Sequence, residues 1–141
     1  MEECIFCNIV RGEIPSEKVY EDEKTLAFMD LTQPERAPGH VLVIPKEHIK
    51  TIYDADADTV GHLFQVAKRV AVAVKSAFSA EGVLIWQSNE RASGQVIEHM
   101  HVHIFPNFAG DGYEVLGGRL PPKADAETLK SARERIAGLI A

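Results

Sequence analysis

The heptapeptide His99-Met100-His101-Val102-His103-Ile104-Phe105 alternates histidine with apolar residues over its first six positions. Successive side chains of a β-strand point to opposite faces of the sheet, so strict alternation is typical of a half-buried strand. We therefore predict a strand over residues 99–105 whose three histidines share one face. Met100, Val102 and Ile104 share the other face, which we expect to enter the hydrophobic core.

The flanking sequence predicts further strands and a few helices. Apolar, β-branched runs predict strands at residues 19–20, 25–31, 40–44 and 83–87, and glycine- and proline-rich or polar loops are expected at 33–39, 88–94 and 110–122. Because the strands follow one another through turns and the helices are few, we expect an α+β fold with a mainly antiparallel sheet.

Three helices are predicted, at residues 4–10, 58–78 and 128–140. The first is expected to end at Gly12 and Pro15. Asp58 or Thr59 is expected to cap the second. The apolar stripe of this long helix is formed by Leu63, Val66, Val70, Val74 and Ala77.

Length and composition bound the class of protein. The 141 residues fit one domain spanning 1–141, and 45% hydrophobic with 26% charged residues is typical of a globular chain. A formal net charge of −6 argues against a nucleic-acid-binding protein, which needs a basic face. The segment Met1–Cys4 has no basic region followed by an apolar run, and no apolar run approaches a membrane span, so we expect a cytoplasmic protein without a membrane partner.

Three histidines on one strand face leave several chemical interpretations open. A His-x-His pair on a strand can direct two imidazoles at one metal ion. Alternatively, one neutral imidazole can attack phosphorus while the others assist, since imidazole is unprotonated near pH 7. An alternating trio can also be a solvated strand face. The spacing alone does not choose between these interpretations.

The segment Ser93-Gly94-Gln95-Val96 precedes this strand and favours a phosphate ligand. Glycine lets a backbone approach a phosphate closely, and the N–H groups of Gln95 and Val96 are expected to face phosphate oxygens. A glycine before a strand is also ordinary turn chemistry.

Together, these segments resemble the histidine triad (HIT) superfamily, and the N-terminal half resembles its Hint-like branch. The matching segments, in the family's order, are Cys4–Val10, Gly12–Ser16, Leu26–Asp30, Gly39–Ile49, Gly94-Gln95 and His99–Phe105. The resemblance implies a five-stranded antiparallel sheet with two main helices. It also implies a homodimer whose sheets join across the two-fold axis.

The chemistry implied by this resemblance is hydrolysis or transfer at the α-phosphate of a nucleotide. His101 matches the nucleophile that forms a covalent nucleotidyl-histidine, and His103 matches the histidine that assists the leaving group. A histidine at the second position favours hydrolysis. We expect a purine nucleoside phosphoramidate, an AMP or GMP derivative, as substrate. The alternatives are a dinucleoside polyphosphate hydrolase, a metal-dependent hydrolase that uses the three histidines as ligands, and a non-catalytic nucleotide-binding module.

The resemblance also assigns substrate-binding residues. Asp30 matches the carboxylate that binds the ribose hydroxyls. Val96 stands where the family has a serine or threonine that bonds the phosphate, so only its backbone N–H remains. Ser88 or its neighbour Asn89 matches the asparagine that precedes the glycine loop. The residues that match the apolar base pocket, or else form plain core, are Ile5, Phe6, Ile9, Phe28 and Leu31.

The pair Cys4 and Cys7 has the C-x-x-C spacing of a zinc ligand pair. Some bacterial relatives complete such a site with two histidines, which correspond here to His48 and His99. Four protein ligands leave no open position, so the resemblance implies a structural zinc that is not required for chemistry. The alternative is two reduced thiols without a metal.

Overall fold

A five-stranded antiparallel sheet is the centre of the computed structural model, which describes residues 4–114 and 118–141. The strands are β1 (Lys18–Glu21), β2 (Thr25–Met29), β3 (Val41–Pro45), β4 (Gly82–Gln87) and β5 (Val102–Asn107). They lie in the order β1-β2-β3-β5-β4, and all neighbouring pairs are antiparallel. The predicted α+β class with an antiparallel sheet is confirmed.

The helices are α1 (Ile5–Val10), α2 (Ala57–Phe78) and α3 (Ala126–Ala137). The predicted caps of α2 were wrong, because Asp56 is the N-cap residue and its side chain accepts a hydrogen bond from the Thr59 N–H at 2.8 Å. Asp58 lies in the first turn instead, where its negative charge interacts favourably with the helix dipole. In the same way, Asp125 caps α3, which begins two residues before the predicted start.

One face of the sheet packs against α2 and α3. The predicted stripe of α2 is buried, and the residues it covers on the sheet include Ala27, Val43 and Val102. Met100 and Ile104 lie in the same core, so the predicted inward face of the histidine segment is confirmed. Burial of this many apolar side chains is the main stabilising contribution to the fold.

The opposite face of β2 and β3 is covered by α1. Leu26, Phe28, Leu42 and Ile44 pack there against Phe6 and Ile9 of the helix. Both strands are therefore buried on both faces, which explains why their sequences are continuous apolar runs instead of alternating ones. Helix α1 ends as predicted, because Gly12 follows it with a left-handed φ of +80°.

The histidine segment differs from the prediction at its start, because β5 begins at Val102 and not at His99. The ladders to β3 and β4 both end at Val102. The carbonyl of His99 is occupied by the ring of His101, at 2.7 Å, and the Met100 N–H donates to the Ile49 carbonyl. These groups are therefore not available for strand pairing, although the side chains still alternate.

Residues 110–122 were predicted to be irregular, and they contain no helix or strand where the structure describes them. Residues 115–117 of this segment lie outside the described residues, as do Met1–Glu3. Throughout residues 4–114 and 118–141, no helix has both the length and the apolar composition needed to cross a bilayer.

Candidate active site and metal cluster

His101 and His103 lie on the sheet face that α1 partly covers, next to the edge strand β4. His103 is paired across the sheet with Leu42 of β3 on one side and Trp86 of β4 on the other. The ring of His101 meets the edge of Phe6 from α1, with centroids 5.2 Å apart. Because the two histidines are two residues apart on one face, their ring centroids lie 4.9 Å apart. The sheet register and one short helix supply their neighbours.

His101 has a defined tautomer. Its Nδ1 lies 2.7 Å from the His99 carbonyl oxygen. Because a carbonyl only accepts, Nδ1 carries the proton, and Nε2 of the neutral ring keeps its lone pair. Burial lowers the pKa of His101 below its usual 6.5, although the His99 carbonyl and Asp30 act in the opposite direction. The arrangement presents an unprotonated imidazole nitrogen near neutral pH.

His103 is held by His40, a residue to which sequence reasoning assigned no role in the site. Nδ1 of His40 lies 3.0 Å from the Thr32 carbonyl, so that nitrogen carries a proton. Its Nε2 lies 3.0 Å from Nδ1 of His103. Burial lowers the pKa of His40, so its Nε2 is an acceptor and Nδ1 of His103 donates to it. Burial likewise lowers the pKa of His103, to about 2.

Trp86 is a second residue that the sequence analysis missed. Its ring lies parallel to the ring of His103, with an interplanar angle of 3° and centroids 4.2 Å apart. The pair is a cross-strand neighbour pair of β4 and β5, for which such contacts are expected. The orientation of His103 is therefore determined by a hydrogen bond at Nδ1 and by stacking on its face.

The glycine loop is built differently from the prediction. Gly94 has φ +101°, which requires glycine, but the Gln95 N–H donates to the Glu90 carbonyl at 3.2 Å. The buried side chain of Gln95 ties the loop together through Glu90, Lys50 and Ile97. The structure therefore does not leave the Gln95 N–H free for a phosphate.

Val96 follows this loop and is exposed over 74% of its surface. Glu90, which precedes the loop, adopts φ +73° and ψ 158°, a strained combination for a residue with a side chain. Such a conformation is maintained only where surrounding contacts hold it, and here the Glu90 N–H donates to the side-chain oxygen of Gln95.

Ser88 and Asn89 have different surroundings in the structure. Asn89 accepts hydrogen bonds from the Ile52 N–H and from the amide of Gln87, and donates to Gln87 in return. Its side chain therefore ties two loops together. Ser88 faces Gly94, since a Cβ on that glycine would lie 3.9 Å from its Oγ.

An apolar cavity of about 490 Å³ lies between α1 and the end of β2. All five residues proposed for a base pocket line it, together with Asp30 at its rim; they are Ile5, Phe6, Ile9, Phe28 and Leu31. Oδ1 of Asp30 accepts from the N–H and the hydroxyl of Thr32, at 2.8 and 2.6 Å. This leaves Oδ2 as the carboxylate oxygen able to accept from a ligand.

The four predicted metal ligands form one cluster, in which the ligand atoms of Cys4, Cys7, His48 and His99 lie within 4.8 Å of one another. Nδ1 of His99 lies 3.3 Å from Sγ of Cys4, and Nδ1 of His48 lies 3.3 Å from Sγ of Cys7. Tetrahedral zinc places sulfur and nitrogen ligands roughly 3.6 Å apart. The donor set therefore fits zinc.

His99 is oriented for such a role by its other nitrogen, because Nε2 lies 2.8 Å from the Pro45 carbonyl and must donate to it. Nδ1 then keeps its lone pair toward the cysteines. The three histidines thus face different partners. Within the described residues they do not converge on a shared ion, which argues against the metal-dependent hydrolase.

Comparison with known proteins identifies a family and several relatives. The family model of the HIT domain matches residues 11–110. The chain is 42% identical over 113 residues to the Protein hit of Bacillus subtilis. This alignment covers 79% of this chain and 77% of that protein. It is 38% identical over 138 residues to the adenosine 5′-monophosphoramidase HNT1 of Candida albicans, covering 94% of this chain and 88% of that one.

Among solved structures, the chain is similar to a Zn-bound histidine triad family protein from Mycobacterium smegmatis. The TM-score is 0.80 at 32% sequence identity, and the match covers 97% of this chain and 95% of the other.

Proposed function

Because the chain belongs to the HIT family, we propose that it hydrolyses purine nucleoside 5′-phosphoramidates through a covalent nucleotidyl intermediate on His101. The observation that carries this proposal is the hydrogen bond from Nδ1 of His101 to the His99 carbonyl. It leaves Nε2 unprotonated and increases its basicity, which is what attack on phosphorus requires. The similarity to a monophosphoramidase of Candida albicans favours the same substrate class.

The nucleoside is held on the α1 side of the nucleophile. The base occupies the apolar cavity of about 490 Å³, where burial of its ring replaces contact with water. The ribose hydroxyls donate to Oδ2 of Asp30. The α-phosphate then lies over His101, where Ser88 and the Val96 N–H donate to its oxygens and stabilise the charge that develops.

In the first step, Nε2 of His101 forms a bond to phosphorus as the bond to the leaving amine breaks. The amine takes a proton at this point from the imidazolium form of His103, which gains that proton at Nε2 from solvent when the anionic substrate binds beside it. The hydrogen bond to His40 and the stacking on Trp86 hold the donor in place. In the second step, water attacks phosphorus and gives a proton to the now neutral His103. The bond between phosphorus and Nε2 of His101 breaks, which releases the nucleoside monophosphate and the neutral His101 ring.

We propose zinc as the ion held by Cys4, Cys7, His48 and His99. With four protein ligands it supplies no open position, so its contribution is to hold α1 against the sheet. Helix α1 carries Phe6 and Ile9, which line the base cavity and contact the sheet. The metal therefore acts on substrate binding through the position of a helix.

We also propose a homodimer in the cytoplasm, joined along the edge strand β4. An edge strand presents unpaired backbone groups that a second copy can satisfy. Sedimentation equilibrium tests this directly, and a monomer at micromolar concentration contradicts it.

The experiment for the catalytic proposal measures turnover of adenosine 5′-phosphoramidate by the wild-type protein, H101A and H62A. His62 lies on α2 and pairs with Asp22, so it is a matched histidine control outside the site. We expect H101A to lose activity by at least 10³-fold and H62A to keep it. Equal activity of H101A and wild type contradicts the proposal. If none of the three proteins turns over the substrate but they bind AMP, the result supports a non-catalytic nucleotide-binding module instead.

A further inference from the structure

Cys4 and Cys7 lie close together at the start of α1. Cys4 is the N-cap residue of this helix, and its Sγ accepts a hydrogen bond from the Cys7 N–H at 3.3 Å. Both cysteines are free, and their Sγ atoms lie within 4.8 Å of each other. Residues three positions apart at the start of a helix have Cα atoms roughly 5 Å apart, a separation that a disulfide spans. The two sulfurs can therefore join with little movement of the backbone.

The two cysteines differ in their access to solvent. Cys4 is partly exposed and lines an open cavity of about 770 Å³ beside His48. Cys7 is buried, with 7% of its surface exposed. Zinc ligation holds both sulfurs as thiolates, so exposure decides which of them an oxidant meets. A small oxidant therefore reaches Cys4 first and leaves Cys7 to react from the interior.

Helix α1 connects the two cysteines to the base cavity. The helix has six residues, too few to be stable alone, so its position depends on its contacts with the rest of the protein. Phe6, which lies between the cysteines in sequence, lines the base cavity and meets the rings of Phe28 and His101 with centroids 5.5 and 5.2 Å apart. A change at the cysteines is thus adjacent to a wall of the nucleotide site.

His99 provides a second connection. Its Nδ1 lies 3.3 Å from Sγ of Cys4 and 3.6 Å from Sγ of Cys7. The thiolate is the form of cysteine that binds a metal, so a disulfide leaves His48 and His99 as two ligands out of four. The same change removes the partners of the His99 ring, and the backbone carbonyl of His99 orients His101.

From these contacts we infer that Cys4 and Cys7 form a reversible oxidation site for hydroperoxides. Cys4 reacts with the peroxide and Cys7 resolves the product to a disulfide, which opens the metal cluster and weakens nucleotide binding. The inference rests on the proposed function for the nucleotide and on the proposed zinc for the cluster.

The oxidation balances in two steps. The Sγ thiolate of Cys4 attacks one oxygen of hydrogen peroxide, the O–O bond breaks, and hydroxide leaves a sulfenic acid on Cys4. Sγ of Cys7 then attacks the sulfenic sulfur, the S–S bond forms, and a second hydroxide leaves. The cysteines lose two electrons, which the peroxide gains, and two protons from solvent convert the hydroxides to water. A dithiol reductant reverses the change by thiol–disulfide exchange.

The first test follows the metal and the thiols without any substrate. Zinc-loaded protein is treated with hydrogen peroxide in the presence of reduced glutathione as an internal reference. A chelating dye measures released zinc, and peptide mass spectrometry locates the disulfide. We expect one zinc to be released for each disulfide between Cys4 and Cys7, and to rebind after addition of dithiothreitol and zinc. Retention of zinc and of both thiols while the glutathione is oxidised overturns the inference.

The order of the two cysteines is tested with the matched variants Cys4→Ser and Cys7→Ser. Each keeps one thiol, and dimedone traps a sulfenic acid that has no second thiol to react with. After removal of metal from both, we expect labelling of Cys4 in Cys7→Ser to be roughly 10-fold faster than labelling of Cys7 in Cys4→Ser. Equal rates overturn the assignment of Cys4 as the residue that reacts with peroxide.

The third test connects oxidation to nucleotide binding and does not require turnover. AMP is titrated into the reduced zinc protein, the oxidised protein, and the oxidised protein after dithiothreitol and zinc. We expect the Kd to rise on the order of 10-fold on oxidation, as displacement of one aromatic wall residue would cause, and to return on reduction. This recovery excludes methionine oxidation as the cause, because dithiothreitol does not reverse it.

The outcomes distinguish this inference from the proposed function. A disulfide that forms without changing the Kd for AMP overturns the inference and leaves the proposed hydrolysis intact. Absence of phosphoramidate turnover in the reduced protein, with the reversible change in Kd present, removes the proposed function and supports the oxidation site.

Discussion

Nδ1 of His101 lies 2.7 Å from the carbonyl oxygen of His99, while Nδ1 of His99 itself faces Sγ of Cys4 at 3.3 Å. One residue thus belongs to both centres of the molecule. Its side chain contributes to the cysteine cluster and its backbone orients the ring proposed as nucleophile. Several expectations follow from this connection and from the surroundings of the site.

The pH dependence of kcat/KM is expected to have an acid limb below pH 6.5. Attack requires neutral His101, and burial lowers its pKa below the usual 6.5. As the pH falls, the ring therefore stays neutral and active to lower pH than a solvent-exposed histidine does. A pH–rate profile between pH 4.5 and 8 checks this, and an acid limb centred above pH 7 contradicts it.

Removal of the metal is expected to lower both the stability and the affinity for AMP. The cluster connects α1 to the sheet, and α1 carries Phe6 in the wall of the base cavity. Structural zinc sites contribute several kcal/mol, so we expect Tm to fall on the order of 10 °C. Metal analysis, thermal unfolding and AMP titration before and after chelation check this, with C7S as the permanent apo form. Equal AMP affinity with and without the metal contradicts the proposed effect of the metal on the base cavity.

Asp30→Ala is expected to lower kcat/KM by about 10- to 100-fold, because a hydrogen bond to a charged acceptor contributes about 1.5–3 kcal/mol. The matched substrate is the 2′,3′-dideoxy compound, which lacks the hydroxyls. With it, wild type and variant should turn over equally. A loss of the same size with both substrates shows that Asp30 acts through Thr32, which its Oδ1 already binds.

Val96→Ser is expected to increase the affinity for AMP by about fivefold, since one added hydrogen bond contributes about 1 kcal/mol. The position is exposed and follows Gly94, so the smaller polar side chain causes no cavity. Val96→Ala is the control that removes the side chain without adding a hydroxyl. Equal affinities in the two variants show that position 96 does not face the phosphate.

The sequence predicts the core side of the histidine segment well, because alternation of polar and apolar residues is a local pattern. Met100, Val102 and Ile104 lie inward as expected. The start of β5 was missed, since the use of the His99 carbonyl by a side chain has no signature in residue types. The one general hint was that a buried His101 needs a hydrogen-bond acceptor for its second ring nitrogen.

Contacts between distant segments explain the other differences. His40 and His103 are 63 residues apart in sequence, and the pairing of β3 with β5 brings them together. The available hint was that His40 directly precedes the buried apolar run of β3. The engagement of the Gln95 N–H within its own loop depends on the conformation of Glu90, which its residue type does not indicate.

The central claim is that His101 carries the nucleotide during turnover. The most direct measurement is mass spectrometry of the protein quenched in acid-free denaturant during hydrolysis of adenosine 5′-phosphoramidate. The account predicts a mass increase of one adenylyl group per chain, mapped by peptide analysis to His101, and no such increase in H101A. An adduct on another residue, or rapid turnover with the unmodified mass throughout, contradicts it.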